Sequence, residues 1–298
     1  MKPAPFVYHR AASLDDAVDV LAATGGKVLA GGQSLVPVMS MRLAAPSALV
    51  DLNHVPGLDT IEVESGGVRI GALVRHAALE HDRPAAAVNP LLGRTLRHVA
   101  HPTIRNRGTT LGSLVHADPA AEMPAVLRLL GGHVDVLSRD RGARRIEAAD
   151  FFVGPLESSL ADDEVAVSAF FPNPPQGSGS SWVELARRHG DYAMVGVGAF
   201  VTVVDGAVTE ARVALISVGL TPVLVDLSEA VRGSAYSEVI WGEALDLVTG
   251  AIDPEGDIHA SAAYRGHLAR VLTARALAEA AADSSTSEGR GVDDRTSA

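Results

Sequence analysis

Helical spacing of apolar residues marks the start of the chain. Ser13 precedes Asp15 and Asp16, an order typical of a capped helix N-terminus, and Gly25-Gly26 is typical of a helix end. The apolar residues between them recur on one helical face: Leu14, Ala17, Val18 and Leu21. We therefore predict a helix between Ser13 and Gly25. The acidic residues of its first turn are favourable to the helix dipole and are assigned no chemistry.

Alternating apolar positions predict strands further along. A strand at 28–30, a short helix at 38–43 and a strand at 48–52 complete a small α/β unit. Residues 61–73 predict a hairpin around Ser65-Gly66-Gly67. Further helices are predicted at 76–80, 90–100 and 121–130, and further strands at 133–137, 145–148 and 164–171.

The stretch 172–180 is rich in proline and glycine and cannot continue a helix or a strand, so we predict a domain boundary there. Beyond it, Asp205-Gly206 predicts a tight hairpin, and an antiparallel sheet follows. The strands of this sheet are predicted at 182–186, 195–204 and 211–218, with helices at 234–249 and 261–282. The last helix has an apolar face for the sheet. Residues 284–298, rich in Ser, Gly and charge, are predicted to be a disordered tail.

Composition limits the classes of function. The 298 residues suffice for two domains, and 47% hydrophobic with 20% charged residues is typical of a soluble globular protein. The net charge of −11 disfavours nucleic acid or an anionic membrane as partner, because both require a basic surface. The longest apolar run, 193–204, is about half of the ~20 residues of a membrane span. Without cysteine or a secretion signal, we expect a cytoplasmic chain that ligates no iron–sulfur cluster through thiolates.

Two adjacent glycines follow the first predicted strand. The segment reads Leu29-Ala30-Gly31-Gly32-Gln33-Ser34-Leu35-Val36. Glycine tolerates positive φ and lets bare N–H groups approach a ligand, and successive N–H groups form an anion-binding concavity. The chemistry indicated is a phosphate cradle, although the segment is neither a P-loop nor G-x-G-x-x-G, and glycine pairs are also common in plain turns.

A second glycine-containing stretch, residues 105–124, favours a ligand-binding loop over a plain turn at the first. It reads RNRGTTLGSLVHADPAAEMP and runs into a predicted helix, an arrangement that suits anion binding. Together the two stretches resemble the medium, FAD-binding subunit of the molybdenum hydroxylases, the family of carbon monoxide dehydrogenase and xanthine dehydrogenase. That family has an A-G-G-x-S loop and a T-x-G-G-[NS] loop followed by A-D-P-x-x-[DE]-x-P. Further matches lie in order at 50–52, 70–72, 190–193 and 260–277, so the resemblance covers residues 6–282.

The resemblance implies an α+β fold in two domains. Residues 1–175 would form an FAD-binding domain of the PCMH or vanillyl-alcohol-oxidase type, with subdomains at about 1–55 and 56–175 and the cofactor between them. Residues 181–283 would form a domain like the C-terminal one of the carbon monoxide dehydrogenase flavoprotein, an antiparallel sheet with packed helices.

The resemblance also implies which residues bind FAD. The first glycine loop would wrap the pyrophosphate, and Thr109 to Ser113 would form the opposite wall. Glu122 matches an acidic position near the cofactor and Val99 an apolar position lining the pocket. An aromatic residue just before an apolar strand ordinarily packs in the core. The resemblance instead implies that Tyr192 shields the isoalloxazine or stacks on it. The implied cofactor-binding residues are Leu29, Ala30, Gly31, Gly32, Gln33, Ser34, Leu35, Val36, Val99, Thr109, Thr110, Leu111, Gly112, Ser113, Glu122 and Tyr192.

One departure from the family concerns Leu111, which stands where the second loop usually has its first glycine. A leucine resists positive φ and brings a side chain to where the backbone approaches phosphate. Either the loop adopts an ordinary dihedral there, or its fit to the cofactor is altered.

Three other polar groupings could be functional sites, but each also has a plainer explanation. Arg105 and Arg107 would either offset a pyrophosphate charge or be a pair of solvated or core-bracing arginines. A serine triad with Ser34 lacks the G-x-S-x-G elbow, so a hydrolase is not favoured. We also expect no metal site, because the possible ligands lack a regular spacing. These possible ligands are His98, His101, His116 and Asp118.

The implied function is electron transfer. No acid–base pair or nucleophile is evident, and a flavin links one-electron to two-electron partners. By resemblance, a large molybdopterin subunit would hydroxylate the substrate, and a small 2Fe-2S subunit would pass electrons to FAD on this chain and on to an external acceptor. The assembly would be a heterotrimer or a dimer of heterotrimers.

Two alternatives remain open. A self-contained flavin oxidase or dehydrogenase would need a general base and a substrate cap, for which a C-terminal region of ~100 residues offers little room. A cofactor-free scaffold subunit is the other, and Leu111 keeps it open.

Overall fold

The computed structural model describes residues 2–235 and 241–293, with side chains as far as Ser284. It confirms the expected α+β fold. The elements of the first 130 residues are, in chain order, β1 (Val7–Arg10), α1 (Leu14–Thr24), β2 (Lys27–Leu29), α2 (Leu35–Ser40), β3 (Ala48–Asp51), β4 (Ile61–Glu64), β5 (Gly67–Gly71), α3 (His76–Glu80), α4 (Arg83–Val88), α5 (Pro90–Leu96), α6 (Pro102–Arg105), α7 (Thr110–His116) and α8 (Glu122–Leu130). Those that follow are β6 (His133–Ser138), β7 (Gly142–Glu147), α9 (Ala148–Phe151), β8 (Phe152–Gly154), β9 (Glu157–Ser158), β10 (Glu164–Pro172), β11 (Ser178–Leu185), β12 (Val195–Val204), β13 (Ala207–Ile216), β14 (Val223–Asp226), α10 (Ser228–Val231), α11 (Gly242–Ala251) and α12 (Ala262–Asp293).

The chain forms two compact units. The first consists of Met1–Val88, Val99–Asp118 and Gly131–Pro172, and the second of Asn89–His98, Pro119–Leu130 and Asn173–Ala298. Two short segments from the N-terminal half, which contain α5 and α8, therefore belong to the second unit. Among the described residues, no helix is both long and apolar enough to cross a membrane.

A parallel sheet in the order β1-β3-β2 opens the first unit. The predicted first helix and its ends are confirmed, since the Ser13 hydroxyl accepts a hydrogen bond from the Asp16 amide and Gly25 has a φ of 57°. The second helix begins at Leu35 rather than at 38, because the Val36 amide already donates to the Gly32 carbonyl at 3.1 Å. The chain thus enters α2 directly from the first glycine loop.

A five-stranded antiparallel sheet in the order β4-β5-β10-β6-β7 forms the rest of the first unit's β-structure, apart from the short β8-β9 pair. The hairpin predicted at 61–73 is confirmed by the pairing of β4 with β5, and the pairing suggested for residues 145–148 by that of β6 with β7. Glu164, the first residue of β10, is 2% exposed. Its carboxylate accepts a bidentate pair of bonds from Arg144, at 2.6 and 2.7 Å, and a third from the Ala161 amide at 2.8 Å.

A meander of four antiparallel strands, β11-β12-β13-β14, forms the sheet of the second unit. The predicted hairpin is confirmed, with φ values of 50° at Asp205 and 76° at Gly206. The strand β14 was not predicted, because its four residues lie in a short apolar stretch without clear alternation.

The middle strand β12 explains why α5 and α8 belong to this unit. Nine of its ten residues are buried, so both faces of the strand are covered. The odd-numbered residues, Val195 to Val203, share a core with Leu268 and Leu272 of α12. On the opposite face, a Cβ at Gly198 would lie 3.3 Å from Leu129 of α8. The helix α8 packs on β12 and β13, and α5 packs on α8 and β11.

Two sequence predictions for the C-terminal region require correction. The helix expected at 234–249 begins only at Gly242, since Ala235 pairs with Ala207 in a β-bridge, and residues 236–240 lie outside the described part of the chain. The tail expected from 284 is helical as far as Asp293, whereas 294–298 lie outside the described residues. Within this helix Ser284 is buried, and its hydroxyl donates to the Gly177 carbonyl and accepts from the Val203 amide.

The contact between β11 and α12 yields a prediction for stability. A Cβ at Gly179 would overlap the Ala280 carbonyl oxygen and the Ser284 amide of α12. We expect Gly179→Ala to lower the free energy of unfolding by about 1–3 kcal/mol, the usual effect of overpacking, as measured by urea denaturation. The control is Gly266→Ala within α12, where nothing lies within 4 Å of the new Cβ. That change should raise stability by up to about 1 kcal/mol, and an equal effect of the two would contradict the packing described.

The Glu164 carboxylate yields a prediction for pH dependence. The Arg144 guanidinium lowers the pKa of Glu164 to about 2 against the opposing effect of burial, with help from the Ala161 amide. Because the folded pKa lies below its ordinary value of 4.5, the stabilisation is complete above pH 4.5 and is lost as pH falls towards 2. We expect Glu164→Gln to lose about 1–2 kcal/mol at neutral pH, since solvent partly screens the half-exposed Arg144, and to show a shallower decline of stability in acid. Glu62→Gln, an exposed change in the same sheet, is the control; identical acid unfolding curves for Glu164→Gln and the unmodified chain would refute the prediction.

Candidate functional site

The first glycine loop lies between β2 and α2 in the first unit. Gly32 has a φ of +70°, a left-handed conformation that L side chains rarely adopt. The Gln33 side-chain amide donates to the Gly31 carbonyl at 3.2 Å, and the Val38 amide donates to the Ser34 carbonyl at 3.2 Å. Position 32 therefore requires glycine because of its positive φ. Position 31 requires glycine because of a close backbone contact.

That contact joins the first glycine loop to the second. A Cβ at Gly31 would lie 2.5 Å from the Arg107 carbonyl oxygen, 2.8 Å from the Gly108 Cα and 2.9 Å from the Thr109 amide nitrogen. Such distances are too short for any side chain, so the two loops meet backbone to backbone. The structure thus brings together the two stretches that the sequence singled out separately.

Thr109 ends the second loop and caps α7. Its hydroxyl accepts from the Gly112 amide at 3.2 Å. Leu111 lies within α7, has no positive φ and is 2% exposed. Of the two possibilities raised by the sequence, the ordinary dihedral is therefore the one observed, and the leucine side chain packs in the core.

A buried histidine supports the second loop. The ring of His76 lies 3.1 Å from the Thr110 hydroxyl through Nδ1, and a Cβ at Gly108 would meet it at 3.0 Å. Burial lowers the pKa of His76 to about 4, and the positive charge of Arg105 acts in the same direction. The ring is therefore neutral at physiological pH and acts as a hydrogen-bonding and packing group.

A cavity of about 720 Å³ opens beside the loops in the first unit. Two guanidinium groups, those of Arg75 and Arg107, line it together with the carboxylate of Asp51. Its lining residues are Leu29, Ala30, Gly31, Gly32, Gln33, Val36, Pro37, Asp51, Asn53, His54, Arg75, Asn106 and Arg107. Six of the residues expected from the first loop therefore line one cavity, whereas Ser34, Leu35, Val99 and the stretch 109–113 do not line it.

Asp51 is already committed to protein partners. The Tyr8 hydroxyl donates to it at 2.5 Å, and the Asn53 side chain and amide donate at 2.6 and 2.9 Å. Burial acts to raise the pKa of Asp51, but these hydrogen bonds outweigh it and hold the pKa below its ordinary value. The carboxylate is therefore ionised and hydrogen-bonded within the protein, and it orients Asn53.

The two arginines beside the second loop have different roles. Arg105 is 8% exposed, forms an ion pair with Glu80 at 2.7 Å, and donates to the Val99 and Ala100 carbonyls at 3.0 Å. It braces the core. Arg107 is exposed and lines the cavity. Of the roles that the sequence left open, bracing the core is the one observed for Arg105, whereas a charge-offsetting role for Arg107 stays a prediction.

Sequence reasoning missed Asn53, His54, Arg75 and Asn106. Arg75 follows β5, far in sequence from both loops, and no local pattern distinguishes it from a surface arginine. Asn53 and His54 directly follow the matched stretch 50–52, so a polar residue at the carboxyl end of a parallel strand was the available signal.

Glu122 and Tyr192 belong to the second unit. Glu122 is the first residue of α8 and is 9% exposed. Tyr192 is 70% exposed in the segment that connects β11 to β12, so it is not the core aromatic that a structural reading would require. The end of this segment is held by the Ser217 hydroxyl, which donates to the Ala193 carbonyl at 2.8 Å.

Among the described residues, no group of three or more His, Asp or Glu side chains could hold a metal ion. His98, His101 and His116 are thus not part of such a group in the described chain.

Comparison with known proteins identifies the family. The family profile described as the FAD binding domain in molybdopterin dehydrogenase matches residues 4–174, and that of the CO dehydrogenase flavoprotein C-terminal domain matches 180–280. The nicotine 6-hydroxylase medium subunit of Paenarthrobacter nicotinovorans is 41% identical over 95% of this chain and 99% of its own length. The carbon monoxide dehydrogenase medium chain of Afipia carboxidovorans is 34% identical, with coverage of 95% and 99%.

A solved structure agrees. A chain of quinoline 2-oxidoreductase from Pseudomonas putida 86 superimposes with a TM-score of 0.90 at 36% identity, covering 95% of this chain and 99% of that one. The chain therefore belongs to the family of FAD-binding medium subunits of molybdenum hydroxylases, and it is an oxidoreductase subunit that carries the FAD-binding domain. The cavity fits such a cofactor, because bare loop backbone and two guanidinium groups suit a pyrophosphate.

The contact at Gly31 yields a prediction for cofactor binding. We expect Gly31→Ala to push the two loops apart and to raise the Kd for FAD at least about tenfold, as measured by quenching of flavin fluorescence. Gly66→Ala is the control, because it lies in a turn of the same unit and its Cβ would meet only Phe170 at 3.7 Å. Unchanged FAD affinity in Gly31→Ala would show that the cofactor does not depend on the contact between the loops.

Proposed function

We propose that this chain is the electron-transfer subunit of a molybdenum-containing hydroxylase, and that it passes electrons from iron–sulfur clusters of a partner subunit through FAD to an external acceptor. The observation that carries the proposal is the cavity beside two touching glycine loops, in a chain whose family is defined by FAD binding. The absence of cysteine means that thiolate-ligated clusters must be held by another subunit.

We assign the cofactor to residues of both glycine loops. Those residues of 29–36 that line the cavity would present bare amides to the pyrophosphate. Thr109 to Ser113 do not line the cavity, and their role as the facing wall stays a prediction from the family resemblance. Arg107 and Arg75 would offset the negative charge, since both guanidinium groups reach the same cavity. Val99, in the same unit, would complete the pocket, while the roles of Glu122 and Tyr192 stay predictions from the family resemblance.

The cofactor, when bound, supplies the exchange between one-electron and two-electron chemistry. This chain's residues then have to bind it, orient it and exclude water. Arg75 and Arg107 line the cavity, and three hydrogen bonds keep Asp51 ionised, an arrangement suited to holding a cofactor. Because Asp51 already accepts bonds from Tyr8 and Asn53, it is poorly suited to act as the general base that a substrate-oxidising flavoenzyme needs.

We further propose that the chain works with a small 2Fe-2S subunit and a large molybdopterin subunit. The similar proteins are named as medium subunits or medium chains. Their names refer to substrates as different as nicotine and carbon monoxide, although they are 41% and 34% identical to this chain. Such variety supports a subunit that handles electrons while another subunit selects the substrate.

The proposal is tested with the assembled complex and its Gly31→Ala variant. Substrate should still reduce the iron–sulfur clusters of the variant complex, because their reduction precedes the flavin, but turnover with an external acceptor should fall with FAD content. Stopped-flow absorbance of clusters and flavin measures both steps.

Two results would contradict the proposal. Reduction of the isolated, FAD-loaded chain by substrate without partners would indicate a self-contained oxidase. Full turnover in a complex without FAD would indicate a scaffold subunit.

A further inference from the structure

We propose that Arg75, together with Asn53, holds the two glycine loops at a fixed spacing, so that Arg75 is a positioning residue for the cofactor. We call this pair the Asn53–Arg75 clasp. The inference rests on the proposed function, because it concerns the same cavity.

The main chain on either side of Arg75 is joined to the second loop. Arg75 forms an antiparallel β-bridge with Thr109. The Thr110 amide donates to the Val74 carbonyl at 3.1 Å, and the His76 amide donates to the Gly108 carbonyl at 3.0 Å. The backbone of Arg75 therefore moves with the second loop.

The side chain of Arg75 connects the second loop to the first. Its Nη1 donates to the Arg107 carbonyl at 2.6 Å, and its Nη2 donates to Oδ1 of Asn53, also at 2.6 Å. The Nδ2 of Asn53 donates to the Ala30 carbonyl at 2.9 Å. A continuous path of hydrogen bonds thus runs from the second loop, through Arg75 and Asn53, to the residue before Gly31.

The path ends beside Gly31, where the two loops are in closest contact. The Arg107 carbonyl oxygen that receives Nη1 is also the atom nearest to where a methyl group on Gly31 would stand, at 2.5 Å. Asn53 is itself fixed by Asp51, through bonds at 2.6 and 2.9 Å. Arg75 therefore pairs with the carbonyl at the contact between the loops, and its second partner is held rigidly.

Charge alone does not explain this placement. Burial lowers the pKa of Arg75, and the neighbouring Arg107 lowers it further, while Asp51 and Asp59 act in the opposite direction. A cation placed only for its charge would be served equally by lysine, which lacks the planar fork that makes two bonds at once. Arg75 uses both arms of this planar group, one for the Arg107 carbonyl and the other for Asn53.

The test uses the complex with its partner subunits after removal of FAD, and compares Arg75→Met, Arg75→Lys and Asn53→Ala with the unmodified complex. Calorimetric titration gives the Kd for FAD and for riboflavin, which has no pyrophosphate. We expect both Arg75 variants to raise the Kd for FAD about tenfold and to leave riboflavin binding and the unfolding temperature unchanged. A loss of folding would instead weaken both ligands.

The double variant Asn53→Ala/Arg75→Met tests the path itself. Because the two residues act in series, its Kd should be no higher than that of the weaker-binding single variant, and independent roles would multiply the two effects. Arg69→Met is the matched control: its guanidinium pairs with Glu64 and Asp135 at 2.6 Å in the same unit, away from both loops.

The outcomes separate the clasp from the proposed function. If the unmodified complex takes up no FAD, the proposed function fails and the clasp with it. If it binds FAD but Arg75→Lys binds equally well, or the effects in the double variant multiply, the clasp is refuted and the proposed function stands. If Arg69→Met weakens FAD binding as much as Arg75→Met does, the effect is general to half-buried arginines and the clasp is also refuted.

Discussion

Direct contact between the main chains of two glycine-containing loops is the constraint on which the N-terminal site depends. At Gly31 there is no room for even a methyl group, which would stand 2.5 Å from the Arg107 carbonyl oxygen. The two loops therefore meet backbone to backbone, and residues of both line the cavity. Peptide groups bind anions through their dipoles, and their value depends on position rather than on residue type. This is why residues far from the loops in sequence contribute to the site by holding them in place.

The electrostatics of the cavity differ from those of the whole chain. The net charge is −11, yet two guanidinium groups line the cavity and its carboxylate is held by hydrogen bonds from Tyr8 and Asn53. A net charge describes the average field around a protein, whereas a partly enclosed site has its own local field. The acidic composition disfavoured nucleic acid as a partner, but it was no guide to the sign of the charge in the site.

The second unit shows a comparable dependence on contacts distant in sequence. The strand β12 is buried on both faces, one against α12 and the other against Trp182 and α8. In the same unit, buried Arg265 of α12 donates to the Met194 carbonyl at 2.5 Å and pairs with Asp257 at 2.7 Å. The segment that carries Tyr192 is thereby fixed at its end, while the ring of Tyr192 is exposed.

Local chemistry in the sequence was sufficient for most elements and for the family. Capping at Ser13, the left-handed Gly25 and the Asp205-Gly206 turn each depend on residues adjacent in the chain, and all three were predicted and found. The motifs of the two glycine loops were likewise readable, because each occupies one short stretch. The same local reasoning did not find that α12 continues to Asp293, nor that Ser284 within it is buried and bonded to Gly177 and Val203.

Only the tertiary structure decided which distant residues complete the site. Arg105 and Arg107 are two residues apart and indistinguishable by composition, yet one faces Glu80 in the core and the other lines the cavity. Leu111 could have lain in the loop or in a helix, and the start of α7 at Thr110 placed its side chain in the core. Arg75 and Asn53 carry no motif at all. The order of the parallel sheet brings positions 30 and 53 together, and tertiary contacts outside that sheet bring 75 and 107 to them. The sequence of each segment encodes its own conformation and not its neighbours in space.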